Sequence, residues 1–407
     1  MTTHIHTLTN GLRMIHLPTN SEVAYCGIAV NAGSRDELEH EHGLAHFVEH
    51  TLFKGTRKRK AWHILNRMEN VGGELNAYTT KESTFIYSVF MEKDFTRAVE
   101  LLADLVVNAQ FPENELRKEY EVILDEIQLY EDTPSELIGD DFENMLFAGH
   151  PFGHHILGNK QTLKKFDSKT GKSFLNRFYT AENIVFFSMS RLEFKQVVKI
   201  AETYISLVPP QKTPILREKP PIILPAVIQK KKKTHLSHIM IGGRACNMYD
   251  DKKYPLFLLN NILGGPGMNS RLNVSLREKN GLVYHVESNV TSYTDTGTFS
   301  IYLGTEPKNR EQAIRLVEKE LKEICTTKLT DRQLTAAKKQ ALGQLGVASD
   351  HKESRFLELG KSFLHFNRYD TRTEIFRKIE AITAQQILEI ANETLNKESL
   401  HCLVFCR

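Results

Sequence analysis

The sequence predicts an α+β fold of two homologous domains, each a mostly antiparallel β-sheet with helices packed on it, joined by a Pro-rich linker. Three observations predict this. The chain has 407 residues, too many for one ordinary core. Its middle carries Pro209, Pro210, Pro214, Pro220, Pro221 and Pro225, which rule out a helix and read as an extended linker. The stretches on either side repeat one order of helical and strand patterns. The expected domains are therefore 1–208 and 226–407, with the linker at 209–225.

In the first half, strands are expected at 4–9 and 11–17 around an Asn10-Gly11 hairpin turn. A third strand, 22–31, is rich in Val, Ala and Ile, as a buried strand should be. A polar loop with His40 and His42 leads to Gly43 and a helix that stops at Lys54-Gly55. The basic run 57–60 reads as a solvated loop. A helix over about 61–70 ends at Gly72-Gly73, and strands follow at 74–80 and 84–91. The stretch Glu74 to Thr79 is polar for a strand, which suits a sheet edge. Asp94 can cap a helix over 95–109, and Pro112 opens another over about 113–131. Helices at 135–147, 160–166 and 169–178 precede a strand at 183–189 and a helix at 192–206.

The second half repeats the plan. Strands at 222–229 and 234–243 precede helices at 252–263 and 269–279, the latter ending at Asn280-Gly281. Strands at 283–292 and 297–303 follow, then helices at 309–325, 331–346 and onward to about 396, and a closing strand at 399–405. The Lys run 230–233 reads as a solvated strand end.

Composition narrows the function classes. Apolar content of 41% and charged content of 25% are globular values and argue against wholesale disorder. The net charge of +3 is too small to suggest nucleic acid or an anionic membrane as partner. No run of 18 apolar residues exists, so no membrane span is expected. Met1-Thr2-Thr3-His4 lacks the basic-then-apolar signature of a secretory signal, and the chain reads as cytoplasmic. The five Cys, at 26, 246, 325, 402 and 406, read as small buried hydrophobes in a reducing compartment.

The chemistry centres on His46-Phe47-Val48-Glu49-His50. Leu44, Val48 and Leu52 form an apolar stripe at helical spacing, which leaves His46, Glu49 and His50 on another face. Two imidazoles one turn apart can share a divalent ion, and Glu49 is near enough to reach a water on it. A zinc site needs a third, preferably anionic, protein ligand and an open fourth position. Glu119 and Glu126 offer themselves, two helical turns apart on one face, with Val122, Ile123 and Ile127 beside them as apolar contacts. Two solvated carboxylates on a Glu-rich helix are the competing reading. When the two halves are aligned on Leu116 and Leu334, Glu126 falls opposite Gln344 and Glu119 opposite Ala337. The helix at 252–263, the counterpart of the motif helix, contains no His. Only the first half carries a ligand set.

Several stretches together resemble the pitrilysin and mitochondrial processing peptidase family of inverted-motif zinc peptidases. They are Gly33 to Glu37, Gly43 to His50, Phe53 to Thr56, Gly72 to Thr79, Glu119 through Glu126, His150-Pro151 with Gly158, Ser270-Arg271-Leu272, and Arg277 to Tyr284. The likeness covers essentially the whole chain, and its length is similar to that of the short two-domain bacterial branch. The resemblance implies a clam-like pair of domains and one Zn2+ per chain, bound by His46, His50 and Glu126. Glu49 would be the general base. Glu119, counted with it among the catalytic residues, would support the site from one register earlier. An extended peptide would add to the edge strand at 74–79, with Asn76 and Ala77 beside the scissile bond. Arg277 and Tyr284 would hold the substrate and the developing oxyanion. The stretch Gly264-Gly265-Pro266-Gly267-Met268-Asn269 is longer than the short Gly-rich loop usual before Ser-Arg-Leu, and Pro266 would stiffen it.

The expected function is thus zinc-dependent endopeptidase activity on extended or unfolded peptides. The alternative is a non-catalytic scaffold or partner subunit of the same fold. A metal-storage protein fits poorly, because a single three-ligand site has a base beside it. By resemblance the chain should pair, and a complete ligand set with Arg277 and Tyr284 in one chain favours a homodimer over a heterodimer with a homologue.

Overall fold

The computed structural model describes residues 2–211 and 216–407. Residues 212–215 of the expected linker, Pro214 among them, lie outside the described residues. The rest of 209–225 forms neither helix nor strand.

In chain order the first half forms β1 (His4–Thr7), β2 (Arg13–Pro18), β3 (Val23–Val30), α1 (Leu44–Leu52), α2 (Ala61–Glu69), β4 (Glu74–Thr79), β5 (Thr84–Met91), α3 (Phe95–Asn108), α4 (Glu113–Glu131), α5 (Pro134–Leu146), α6 (Lys160–Leu163), α7 (Ser168–Phe178), β6 (Ile184–Ser190) and α8 (Phe194–Tyr204). The second half forms β7 (Val227–Lys231), β8 (Ser237–Ala245), α9 (Lys253–Gly264), β9 (Val283–Ser292), β10 (Gly297–Thr305), α10 (Arg310–Thr326), α11 (Asp331–Ala348), α12 (Lys352–Phe366), α13 (Arg372–Glu380), α14 (Ala384–Thr394) and β11 (His401–Cys406).

The strands make two sheets of one plan. The first runs β1-β2-β6-β3-β5-β4 and the second β7-β11-β8-β10-β9. Each has one parallel pair, β2 with β6 and β7 with β11, and is otherwise antiparallel. Among the described residues only β1 lacks a counterpart in the second sheet. The apolar β3 is central and almost wholly buried, whereas the polar β4 is an edge and only half-buried, as their sequences predict.

The chain forms two compact units, and they do not follow its halves throughout. Unit 1 holds 1–128, 154–217 and 349–369; unit 2 holds 129–153, 218–348 and 370–407. Against the expected boundaries of 1–208 and 226–407, two segments change sides. The segment 349–369, with α12, joins the first sheet, and 129–153, with α5, joins the second. In unit 1, one face of the sheet packs against α1, α3 and α8 around Ile28, Val48, Leu102 and Ala201. Its other face packs Tyr25, Phe85, Val185 and Phe187 against Phe356, Leu359 and Phe363 of α12. In unit 2, Leu137, Ile138 and Phe142 of α5 pack with Met240, Leu403 and Phe405 of the sheet. A sheet with two apolar faces needs a layer on each, and the borrowed helix supplies the second.

Local differences from expectation have local causes. The first hairpin closes through Thr9, Asn10 and Gly11, with Leu8 paired to Leu12 and Gly11 at φ +88°. It is a three-residue loop, not a two-residue turn at Asn10-Gly11. The strand expected at 222–229 starts at Val227, because Pro220, Pro221 and Pro225 lack N–H donors for a ladder. The helix expected at 269–279 contains a π-helical run, Asn273–Glu278. Arg59 is not solvated with the rest of its basic run. It donates to Glu100 at 2.8 and 2.7 Å and to the buried Asp104.

Candidate metal centre

The site is built on α1 and α4 of unit 1. Gly43 starts α1 at φ +96°, in the left-handed region, and packs directly against Gly158 at φ +71°. A Cβ on Gly158 would collide with the His42 carbonyl, so this crossing requires glycine. Leu44, Val48 and Leu52 are fully buried in the core, which turns His46, Glu49 and His50 to the opposite side. On α4, Leu116, Ile123 and Ile127 face the core and leave Glu119 and Glu126 toward α1. Val122, expected beside them as an apolar contact, is 48% exposed.

Among the described residues, one group of His, Cys, Asp or Glu could hold a metal: His46, His50 and Glu126, whose donor atoms lie within 4.8 Å of one another. Glu126 Oε2 stands 3.6 Å from His46 Nε2 and 3.7 Å from His50 Nε2. These separations are too long for hydrogen bonds. They fit three donors around one tetrahedral ion, each at about 2.1 Å and hence about 3.4 Å apart. His50 Nδ1 lies 3.2 Å from Glu119 Oε2, so the ring donates there and keeps the Nε2 lone pair toward Glu126. Lys54 Nζ grips the other Glu119 oxygen at 2.7 Å. The donor set is therefore one that zinc takes.

Electrostatics follow from the packing. Burial, with the nearby His50, depresses the His46 pKa to about 3, so the ring is neutral, the form in which an imidazole can bind a metal. Burial alone would lower His50, but the Glu119 hydrogen bond and the carboxylates around it outweigh that and raise it. Glu119 is lowered: burial opposes the shift, and the bonds from His50 and Lys54 overcome it. Burial raises both Glu126 and Glu49.

Glu49 is 8% exposed, and its Oε2 accepts a hydrogen bond from Thr79 Oγ1 at 2.9 Å. Thr79 is the last residue of β4, which pairs with β5 on one side and ends the sheet on the other. Asn76 and Ala77 lie on this strand, opposite Tyr87 and Ile86. The structure thus brings His46, Glu49, His50, Glu119 and Glu126 together in unit 1, with the β4 edge joined to them through Thr79.

Arg277 and Tyr284 belong to unit 2. Arg277 lines a cavity of about 390 Å³ beside the 264–268 loop, and Tyr284 on β9 is 83% exposed. That loop is tied to α11 by a reciprocal amide pair between Asn269 and Gln340, at 2.9 and 3.0 Å. On the helices of unit 2 that correspond to α1 and α4, Asn261 donates to Gln344 at 2.6 Å. A neutral amide pair stands where unit 1 gathers His46, His50 and Glu126.

Sequence reasoning missed Thr79 and Lys54. Both sit inside stretches that resemble the peptidase family, but nothing in their own pattern marks a partner.

Similarity to known proteins extends over the whole chain. Residues 14–160 match the insulinase domain of peptidase family M16, and residues 166–341 match the peptidase M16 inactive domain. A protein named uncharacterized zinc protease YmxG, from Bacillus subtilis, is 30% identical over 98% of this chain and 97% of its own length. An uncharacterized zinc protease of Rickettsia felis is 32% identical over 98% and 97%. Two solved structures share the fold at 20% identity. A peptidase M16 inactive domain from Pseudomonas fluorescens has a TM-score of 0.93 over 100% of this chain and 98% of that one. A protease from Helicobacter pylori has a TM-score of 0.91 over 100% of both.

Proposed function

The chain belongs to the insulinase-type M16 peptidase family, and from that premise we propose that it is a zinc-dependent endopeptidase that hydrolyses extended or unfolded peptides. The observation that carries the reading is the convergence of His46, His50 and Glu126 beside the buried carboxylate of Glu49. His46, His50 and Glu126 would hold one Zn2+. When bound, zinc supplies Lewis acidity, which brings the pKa of a water near 7 and polarises a carbonyl.

The remaining steps fall to the chain's own groups. Glu49 takes a proton from the attacking water and hands it to the leaving amine. Burial raises its pKa, which suits a group that must both accept and return a proton near neutrality. Thr79 holds Glu49 in position. Glu119 orients His50 and is itself held by Lys54. The free side of β4 offers unpaired backbone groups to an extended peptide, with Asn76 and Ala77 along it. Recognition through backbone pairing tolerates many sequences. Arg277 and Tyr284 take the substrate-holding roles, as donors where negative charge develops. Among the described residues no helix is long and apolar enough to cross a membrane. A complete ligand set in one chain favours pairing of identical chains, which light scattering tests.

The deciding experiment is metal analysis with cleavage of an unfolded peptide mixture by wild type and Glu49→Gln. About one zinc per chain in both, with cleavage lost only in the variant, is the expected result. Equal cleavage, or no metal in either, sinks the assignment, and metal without cleavage in wild type favours the scaffold reading.

A further inference from the structure

The two histidines are supported unequally. His50 Nδ1 has Glu119 to orient its ring. His46 Nδ1 is buried and has no hydrogen-bond partner among the described residues. With no hydrogen bond to orient it, the His46 ring is held by packing, including the His50 ring at 4.5 Å between centroids, and by the backbone it stands on, the first turn of α1. That helix is only nine residues long, and its N-cap, Gly43, has no side chain to satisfy the free N–H groups.

A residue from outside the helix does so. The Glu37 side chain is wholly buried. Its Oε2 accepts the Gly43 N–H at 2.9 Å, and its Oε1 accepts the Ala45 N–H at 2.7 Å, one residue before His46. His154 Nε2 donates to the same Oε2 at 2.9 Å. His154 is in turn fixed on both sides. Its carbonyl accepts from Lys81 Nζ at 2.6 Å, and its ring stacks on His42 at 3.9 Å between centroids.

We propose that Glu37 is a positioning residue for the metal site, pinning the first turn of α1 so that His46 keeps its aim, with His154 locking Glu37 in place. Neither residue touches the donor atoms, so both act through the helix. The inference rests on the proposed zinc site. A carboxylate that satisfies two of the orphan N–H groups of a short helix prevents its end from fraying. His46 lies in the first turn, which Glu37 holds, whereas His50 lies one turn on, in the last turn of α1.

The test compares wild type with Glu37→Gln, His154→Phe and His154→Gln. The readouts are the zinc dissociation constant by chelator competition, the visible spectrum of the cobalt-substituted protein, the thermal midpoint, and kcat and KM on an unfolded peptide. Glu37→Gln should weaken zinc by about tenfold or more, alter the cobalt spectrum and lower kcat, with KM nearly constant. His154→Phe removes the donor and should move the same readouts in the same direction, while His154→Gln keeps a donor and restores them. If only the thermal midpoint falls, Glu37 is merely structural and the proposal fails. Should Glu37→Gln not fold, the His154 pair decides, and equal zinc affinity in both variants overturns the proposal. A wild-type chain that binds no zinc refutes the zinc site itself, before any substitution is made.

Discussion

Thr79 Oγ1 donates to Glu49 Oε2 at 2.9 Å, so the last residue of the edge strand holds the carboxylate that stands beside the two histidines. The strand offered to a peptide and the group offered as base are one connected piece. Thr79→Val keeps the shape and removes the donor. Burial raises the Glu49 pKa and the Thr79 bond pulls it down, so the variant carboxyl should rise further. A base must be ionised, and the acidic limb of the kcat/KM profile should therefore move to higher pH. kcat at neutral pH should fall about tenfold, with zinc content unchanged. An unmoved limb separates Thr79 from the ionisation of Glu49.

Three carboxylate-side changes should rank in zinc affinity. Glu126→Gln loses the proposed third ligand and should bind weakest. Glu119→Gln leaves His50 without its anionic partner, for a loss of about 10–100-fold. Lys54→Met leaves Glu119 in place without its cation, and should lose less than that. Chelator competition gives the order directly, and a Lys54 effect larger than that of Glu126 contradicts the assignment of ligands.

Acid should destabilise unit 1 through buried neutral histidines. His16 is fully buried on β2, with Nδ1 2.9 Å from Ser188 Oγ, and burial holds its pKa down to about 4. Above the unfolded value of about 6.5, both states are neutral and the stability is whole. As pH falls from about 6.5 towards 4, only the unfolded chain takes the proton, so stability drops by about 1.4 kcal/mol per unit from this group. Urea unfolding at pH 7 and pH 5 should show wild type losing about 2 kcal/mol more than His16→Asn. His46 and His154, depressed to about 3, add to the wild-type slope and persist in the variant. Identical losses in the two proteins would exclude His16.

The outer layer of unit 1 depends on a helix from late in the chain. Phe356 of α12 is fully buried and stacks on Phe187 of β6 with centroids 4.5 Å apart. Phe356→Ala should cost about 3–5 kcal/mol. Residues 1–217 expressed alone leave Phe187 and Val185 without α12, and should show no cooperative melt. A sharp melt from that fragment would show that α12 is dispensable.

Much of the site was legible from local text. His46, Glu49 and His50 share a face because helical spacing puts them there, and Leu44, Val48 and Leu52 choose which face. The same spacing brought Glu119 and Glu126 together, and the chemistry of zinc required a carboxylate. Thr79, Lys54 and Glu37 were not legible as partners, because no periodicity links residue 37 to 45, 54 to 119 or 79 to 49. Val122 was misplaced for a related reason. Its neighbours Ile123 and Ile127 face inward, and an apolar residue at the margin of a stripe can fall on either side. Arg59 looked solvated because a basic run says nothing of the Asp104 and Glu100 that α3 brings to it.

The order of elements, the doubled plan and the half that carries the candidate ligand set all follow from short-range pattern, because period, turn chemistry and ligand type are properties of neighbouring residues. The sheet that each helix covers does not. The apolar stripes of α5 and α12 announce burial, yet any apolar sheet face would satisfy them. Packing in the folded chain placed α12 against Phe187 and α5 against Met240 and Phe405, since burial is non-directional and shape alone chooses among equivalent surfaces.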